Sequence, residues 1–183
     1  MAITADEARR TYREAECLFT REEVETAVHS MATAIEGRLC DSHPLVLCVM
    51  TGALIPAGQL LTHLDFPLEL DYVHATRYGS RTRGGELEWI VHPSIALEGR
   101  VVLVVDDILD EGLTLAAILE ACRRAGAREA LSAVLVEKVH DRKNGLEADF
   151  VGLRVPDRYV FGYGMDYKGY LRNAPGIYAV KGS

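Results

Sequence analysis

Four carboxylates crowd into VVLVVDDILDEGLT, residues 101–114: Asp106, Asp107, Asp110 and Glu111. Five aliphatic residues precede them, and Gly112 follows. Like charges this close repel, so the arrangement asks for a partner that uses them. A strand-terminal acidic pair holds Mg2+ directly or through water, or hydrogen-bonds a diol such as ribose. One carboxylate, its pKa raised by its neighbours, serves as a general base. Asp110 to Thr114 leads into a helical pattern. The free N–H groups and dipole of a helix start suit a phosphate, and Gly112 lets the backbone come close. Diol, metal and phosphate together describe a ribose phosphate.

The same letters have other readings. Acidic residues favour helix starts, so an ordinary N-cap with solvated carboxylates also accounts for the stretch. A Walker B strand end needs a GxxxxGK[ST] loop, and no lysine here follows a glycine. A phosphoacceptor receiver domain carries its acidic pair near its start, and too few residues follow Asp107 to complete one.

The elements that must position these groups follow from hydrophobic spacing. Thr4-Ala5-Asp6-Glu7 and Thr20-Arg21-Glu22-Glu23 fit capping boxes, and after the second Val24, Val28, Met31 and Ile35 fall at helical spacing. Leu45–Met50 and Leu68–Ala75 read as strands, separated by a helix that carries Leu54, Leu60 and Leu61 with Pro56 in its first turn. Residues 78–85, YGSRTRGG, read as a flexible loop, and 87–92 as a strand returning from it. Val101–Val105 is an apolar strand with the acidic pair just past its end. Thr114–Arg124 is a helix; Ala130–Val136 and Phe150–Val155 are further strands. Alternating strands and helices predict an α/β fold, a mostly parallel central sheet flanked by helices. Ligands bind such sheets outside the carboxyl ends of the strands, where Asp106 and Asp107 stand.

A chain of 183 residues, 49% hydrophobic, suits one domain with a proper core. It has no apolar run long enough to span a bilayer and begins without a secretory pattern, which predicts a cytoplasmic protein with no membrane partner. Cys17, Cys40, Cys48 and Cys122 lack zinc spacing and read as reduced thiols. A net charge of −7 argues against nucleic acid as a partner.

Two motifs carry a family resemblance. VVLVVDDILDEGLT resembles the signature of type I phosphoribosyltransferases, the loop that binds phosphoribosyl pyrophosphate (PRPP). The stretch DFVGLRVPDRYVFGYGMDYKGYLRN, residues 149–173, is similar to the purine-binding region of the hypoxanthine-guanine phosphoribosyltransferases. With Lys138 between them and the Tyr78-Gly79 loop before, the resemblance covers roughly residues 45–180.

The resemblance implies the reaction: a 6-oxopurine, hypoxanthine or guanine, displaces pyrophosphate from carbon 1 of PRPP and gives a nucleoside monophosphate, with Mg2+ as cofactor. It implies roles by position. Asp106 and Asp107 hold the ribose hydroxyls and metal, and Asp166 a second Mg2+. Asp110 takes the purine N7 proton. The backbone of Asp110, Glu111, Gly112, Leu113 and Thr114, with the Thr114 hydroxyl, holds the 5′-phosphate. Thr51, Gly52, Arg77, Tyr78 and Arg172 serve pyrophosphate, the Tyr78 loop as a mobile lid. Lys138 donates to the 6-oxo group, Tyr159 stacks on the base and the Val160 backbone meets its far edge. It also implies one unit over 1–183, a core at about 40–148 and a small hood from about 1–20 and 149–183, assembled as a homodimer or homotetramer. His74, His92 and His140 show no ligand spacing and read as structural or surface residues.

Three positions depart from the family pattern. Glu111 stands where Thr or Ser is usual, so its side chain is expected to turn outward, away from the phosphate. Leu113 replaces a polar residue and is expected at the loop's rim. In Met50-Thr51-Gly52-Ala53, Thr51 stands where many members carry Lys; the strained peptide of that loop is expected between Met50 and Thr51. Two other functions keep the fold: a PRPP- or nucleotide-sensing regulator, which predicts a basic face and no base pocket, and a transferase acting on xanthine or a pyrimidine.

Overall fold

The computed structural model describes residues 3–77, 87–142 and 145–183, without the side chains of residues 76, 77 and 87. Two helices lead the chain. In α1 (Ala5–Glu14) the Glu7 N–H donates to the Thr4 hydroxyl, and α2 (Arg21–Leu39) opens on a full capping box between Thr20 and Glu23. The spacing of Val24, Val28, Met31 and Ile35 gives α2 one apolar face, and all four are buried. Each such side chain contributes about 1.5–3 kcal/mol on burial. Between α1 and α2 lies the short strand β1 (Glu16–Phe19).

The main sheet follows: β2 (Leu45–Val49), α3 (Leu54–Leu61), β3 (Glu69–Arg77), β4 (Leu87–Val91), β5 (Val101–Leu109), α4 (Leu113–Arg124), β6 (Glu129–Val139) and β7 (Phe150–Pro156). Its order is β4-β3-β2-β5-β6-β7, with neighbours parallel except β3 and β4. All of β2 and the first six residues of β5 are buried, as the centre of a doubly covered sheet requires. From β2 the chain steps outward through α3 to β3; from β5 it steps the opposite way through α4 to β6. The order therefore reverses between β2 and β5, and a crevice opens at their carboxyl ends. The right-handed crossover rule puts α3 and α4 on opposite faces.

Two boundaries differ from the sequence reading. The β5 ladder does not stop at Val105: Asp106, Ile108 and Leu109 pair with Val134, Val136 and Glu137, because the eleven-residue β6 runs on beside them. The acidic pair thus sits inside the strand's last turn of ladder rather than past it. Residues 150–156, expected in the hood, form β7 on the edge of the main sheet, held to β6 by backbone pairing and by Asp149, which accepts from the Ser132 N–H (2.8 Å) and hydroxyl (3.1 Å).

A second sheet joins the chain's two ends: β1, β9 (Ile177–Ala179) and β8 (Val160–Phe161), all antiparallel. Phe161 is fully buried there, stacked on Tyr178, with Tyr12 edge-on to both rings. In the main sheet, buried Asp71 in β3 accepts the N–H groups of Ser94 (2.6 Å), Ile95 (3.0 Å) and Tyr72 (2.8 Å), which pins the segment after β4.

Candidate active site

The crevice between β2 and β5 is where the glycines and the acidic pair meet. A methyl group on Gly52 would stand 2.0 Å from Asp107 Oδ2, and one on Gly164 (φ +109°) would stand 2.0 Å from the Gly52 carbonyl oxygen. Only bare backbone lets these three segments, far apart in sequence, pack this closely. The Met50–Thr51 peptide is cis. Asp106 is buried and accepts the Asp107 N–H at 2.9 Å. Burial pushes both carboxyls above the ordinary range, and the charge of Asp107 pushes Asp106 further.

Beyond the pair, a cleft of about 250 Å3 is lined by Asp106, Asp110 and the segment Glu111–Leu115. Here α4 begins. Its N-cap Gly112 is left-handed (φ 79°) and supplies no side-chain cap, in contrast to the threonines that close α1 and α2. The first N–H groups of α4 are therefore left for a ligand, and an anion suits them. Leu113 is 38% exposed, at the rim. The Glu111 carboxylate lies 3.5 Å from the Arg142 guanidinium, which itself grips Asp157 at 2.7 Å.

A second cleft of about 250 Å3 adjoins the first, and Asp110 lines both. Its other walls include Lys138, Tyr159, Val160 and Asp166. Lys138, at the end of β6, has a side chain only 12% exposed; its Nζ donates to Asp110 Oδ2 at 2.8 Å and lies 3.8 Å from Asp157. The Tyr159 ring is half open to solvent and meets Tyr167 edge-on. Asp110 has a second partner that spacing did not disclose: His140 Nε2 lies 2.8 Å from Oδ1. Burial pushes the Asp110 carboxyl up, but the hydrogen bonds from Lys138 and His140 outweigh it and hold it below the ordinary range.

Arg172 closes the crevice from the C-terminal side. It donates to the Gly164 carbonyl (2.6 Å), pairs with Asp166 (2.6 Å) and reaches to 3.9 Å from Asp107. Asp166 also accepts the Gly169 N–H at 2.7 Å, so both of its oxygens are engaged. Thr51 is exposed at the crevice. Tyr78 and the Arg77 side chain lie outside the described residues. The sequence reading thus names most of the residues brought together here, and misses His140, Arg142 and Asp157. Arg142 and Asp157 carried no signal beyond being charged.

A mostly parallel α/β sheet whose reversal point joins an acidic strand, an open helix N-terminus and a lysine-and-tyrosine cleft has the parts a nucleotide-handling transferase needs. The phosphoribosyl transferase domain family matches residues 16–168, and the chain belongs to that family. It is 36% identical to the hypoxanthine-guanine phosphoribosyltransferase of Bacillus subtilis over 90% of this chain and 92% of that one. It is 32% identical to the hypoxanthine-guanine-xanthine phosphoribosyltransferase of Tritrichomonas foetus, over 91% of each. The crystal structure of a hypoxanthine phosphoribosyltransferase from Staphylococcus aureus superposes with a TM-score of 0.88 at 27% identity, covering 93% of this chain and 94% of that one.

Proposed function

We propose that the protein transfers the 5-phosphoribosyl group of PRPP to hypoxanthine or guanine, releasing pyrophosphate and a nucleoside monophosphate, in purine salvage. The observation that carries this is Asp110 lining two adjoining clefts, one ending on an open helix N-terminus and the other holding Lys138 and Tyr159. The first suits the 5′-phosphate and the second the base, with the reacting bond between.

In this reading the N-terminus of α4 and the Thr114 hydroxyl hold the phosphate, and Asp106 and Asp107 accept from the ribose hydroxyls. The Tyr159 ring covers one face of the base. Lys138 only donates, so it pairs with a 6-oxo group and offers nothing to the 6-amino group of adenine. N9 attacks carbon 1 as the bond to pyrophosphate breaks, the electron pair leaves with pyrophosphate, and Asp110 takes the N7 proton. Arg172 attends the departing anion. In the free protein Lys138 lies on Asp110. A base that draws Lys138 to its oxygen removes a donor that holds the Asp110 pKa down, so recognition of the substrate strengthens the general base.

The Asp106–Asp107 pair fits Mg2+: two carboxylates are held together in a buried site where their charges oppose each other and Arg172 comes no nearer than 3.9 Å, so a divalent cation would relieve the repulsion. Asp166 is a further donor in the same crevice. Bound there, Mg2+ supplies charge neutralisation for the phosphates of PRPP.

The setting is the cytosol, and the assembly a homodimer or homotetramer. Among the described residues all four cysteines are free, and no helix is long and apolar enough to cross a membrane. Exposed Leu54, Leu70 and Tyr72 surround an apolar cleft on α3 and β3, a patch suited to contact with another copy. Light scattering on the purified protein reads the assembly; a monomer at all concentrations overturns that part.

The central test mixes the protein with PRPP and Mg2+ and, in turn, hypoxanthine, guanine, xanthine, adenine and uracil. Nucleotide forms with hypoxanthine and guanine and not with adenine or uracil. The relatives divide by name on xanthine, so that arm sets the range of bases. No turnover with any purine overturns the proposal.

A further inference from the structure

His140 lies just past the end of β6, and its side chain is 6% exposed. Its two ring nitrogens have different neighbours. The Arg142 backbone N–H donates to Nδ1 at 3.1 Å. An N–H can donate only to a lone pair, so Nδ1 carries no proton. The ring proton is therefore on Nε2, which donates to Asp110 Oδ1 at 2.8 Å. Protonating Nδ1 would set two N–H groups against each other. Nor can His140 relay a proton, since Nε2 already holds one and Nδ1 is blocked.

The surrounding carboxylates already have cations beside them. Lys138 faces Asp110 and Asp157, and the Arg142 guanidinium faces Asp157 and Glu111. Ligand-capable atoms of Asp110, His140 and Asp157 lie within 4.8 Å of one another. Two cations already serve those carboxylates and Nε2 carries a proton, so the cluster does not suit a metal ion.

Asp110 thus has one donor on each oxygen: His140 on Oδ1 and Lys138 on Oδ2. These donors differ in what a purine does to them. Lys138 has a competitor in the 6-oxo group; His140 has none, because its ring is fixed from behind by the backbone. We propose that His140 is a positioning residue: its Nε2–H holds Asp110 Oδ1 throughout turnover and presents Oδ2 alone to the purine N7 proton. The inference rests on the phosphoribosyl-transfer reading above. It survives the proton transfer itself, since a carboxylic acid protonated on Oδ2 still accepts from Nε2 on Oδ1. The cost of leaving Asp110 free to rotate falls on the step that moves the proton, not on PRPP binding.

The test combines kinetics with 15N NMR of the histidine ring. His140→Leu lowers kcat about 10- to 100-fold, the loss expected when a reacting group is misplaced, while KM for PRPP stays within about twofold. His140→Gln keeps a donor and recovers most of kcat. In the wild-type protein the His140 ring shows an unprotonated Nδ1 and a protonated Nε2 at neutral pH. A proton on Nδ1, or a folded His140→Leu with kcat within about twofold of wild type, overturns the assignment. If His140→Leu does not fold, the wild-type tautomer and the His140→Gln kinetics decide. Wild-type protein that makes no nucleotide overturns the transfer reading and this inference together; active wild type with unaffected variants overturns only the role of His140.

Discussion

Lys138 Nζ lies 2.8 Å from Asp110 Oδ2, so the residue suited to recognise the purine oxygen and the residue suited to take the purine proton are bonded to each other in the free protein. The contact ties recognition to chemistry. On the proposed reading, a purine that satisfies Lys138 frees Asp110, and one that does not leaves the base engaged.

Lys138→Met tests this. It removes one hydrogen bond to the 6-oxo group, worth about 1–3 kcal/mol, so kcat/KM for hypoxanthine falls about 10- to 100-fold. Asp110 also loses the donor that depresses its pKa. A depressed carboxyl stays ionised down to low pH, and a less depressed one protonates sooner as pH falls. The acid limb of kcat/KM therefore moves to higher pH in the variant, measured by steady-state rates across the acidic range.

Asp110→Asn keeps the shape of both clefts and removes the proton acceptor. Turnover falls by about 10²- to 10⁴-fold, the usual contribution of a general base, while PRPP affinity measured by calorimetry changes little. Unchanged turnover removes Asp110 as the base.

Glu111 and Arg142 form a testable pair at the phosphate cleft. The Arg142 guanidinium sits 3.5 Å from a carboxylate on the rim of an anion site. Arg142→Ala leaves that charge unscreened and raises KM for PRPP about threefold, in line with an interaction of under 1 kcal/mol in water. In the double variant Arg142→Ala/Glu111→Thr most of the loss disappears. Additive effects in this cycle would show that the two side chains do not act on the same phosphate.

What could be read in advance divides along a physical line. The faces of α2, β2 and β5 were legible because burial imposes a period on the letters, and the acidic stretch because its charges conflict unless they are used. The Thr20–Glu23 box was legible because both partners are three residues apart. His140 was not: its role depends on the turn after β6 and on a backbone N–H two residues on. The full length of β5 was hidden as well, because aspartates are poor strand formers and only the long β6 beside them keeps the ladder going. For the same reason Arg142 and Asp157, fifteen positions apart, gave no sign of pairing.

Asp71 offers a test of the fold independent of activity. Burial pushes its carboxyl up, but backbone N–H groups of Tyr72, Ile95 and Ser94 prevail and hold it below the ordinary range. A depressed carboxyl stabilises the folded state above its unfolded pKa and loses that contribution as pH falls through the folded one. Asp71→Asn turns an amide N–H2 toward those donors and costs about 2 kcal/mol at neutral pH. The difference from wild type narrows at about pH 3, read by denaturant unfolding at both pH values.

Gly164→Ala combines a left-handed backbone with a methyl 2.0 Å from the Gly52 carbonyl oxygen. The backbone conformation alone costs about 1–3 kcal/mol, and relief of the clash pushes Gly52 toward Asp107. Thermal unfolding shows a lower midpoint, and PRPP binding weakens more than for a variant of equal instability in the outer strand β4.

The second sheet pairs Glu16–Phe19 with Ile177–Ala179 and places Val160, a wall of the base cleft, on the next strand. Such a pairing closes a loop nearly as long as the chain, so its entropy cost is met late, after the local β5-α4-β6 unit has formed. The two halves of the site are therefore expected to form at different times. On the proposed reading, a nascent or partly opened chain would have a phosphate cradle before it has a place for the purine, and on mild denaturation it would lose the base first.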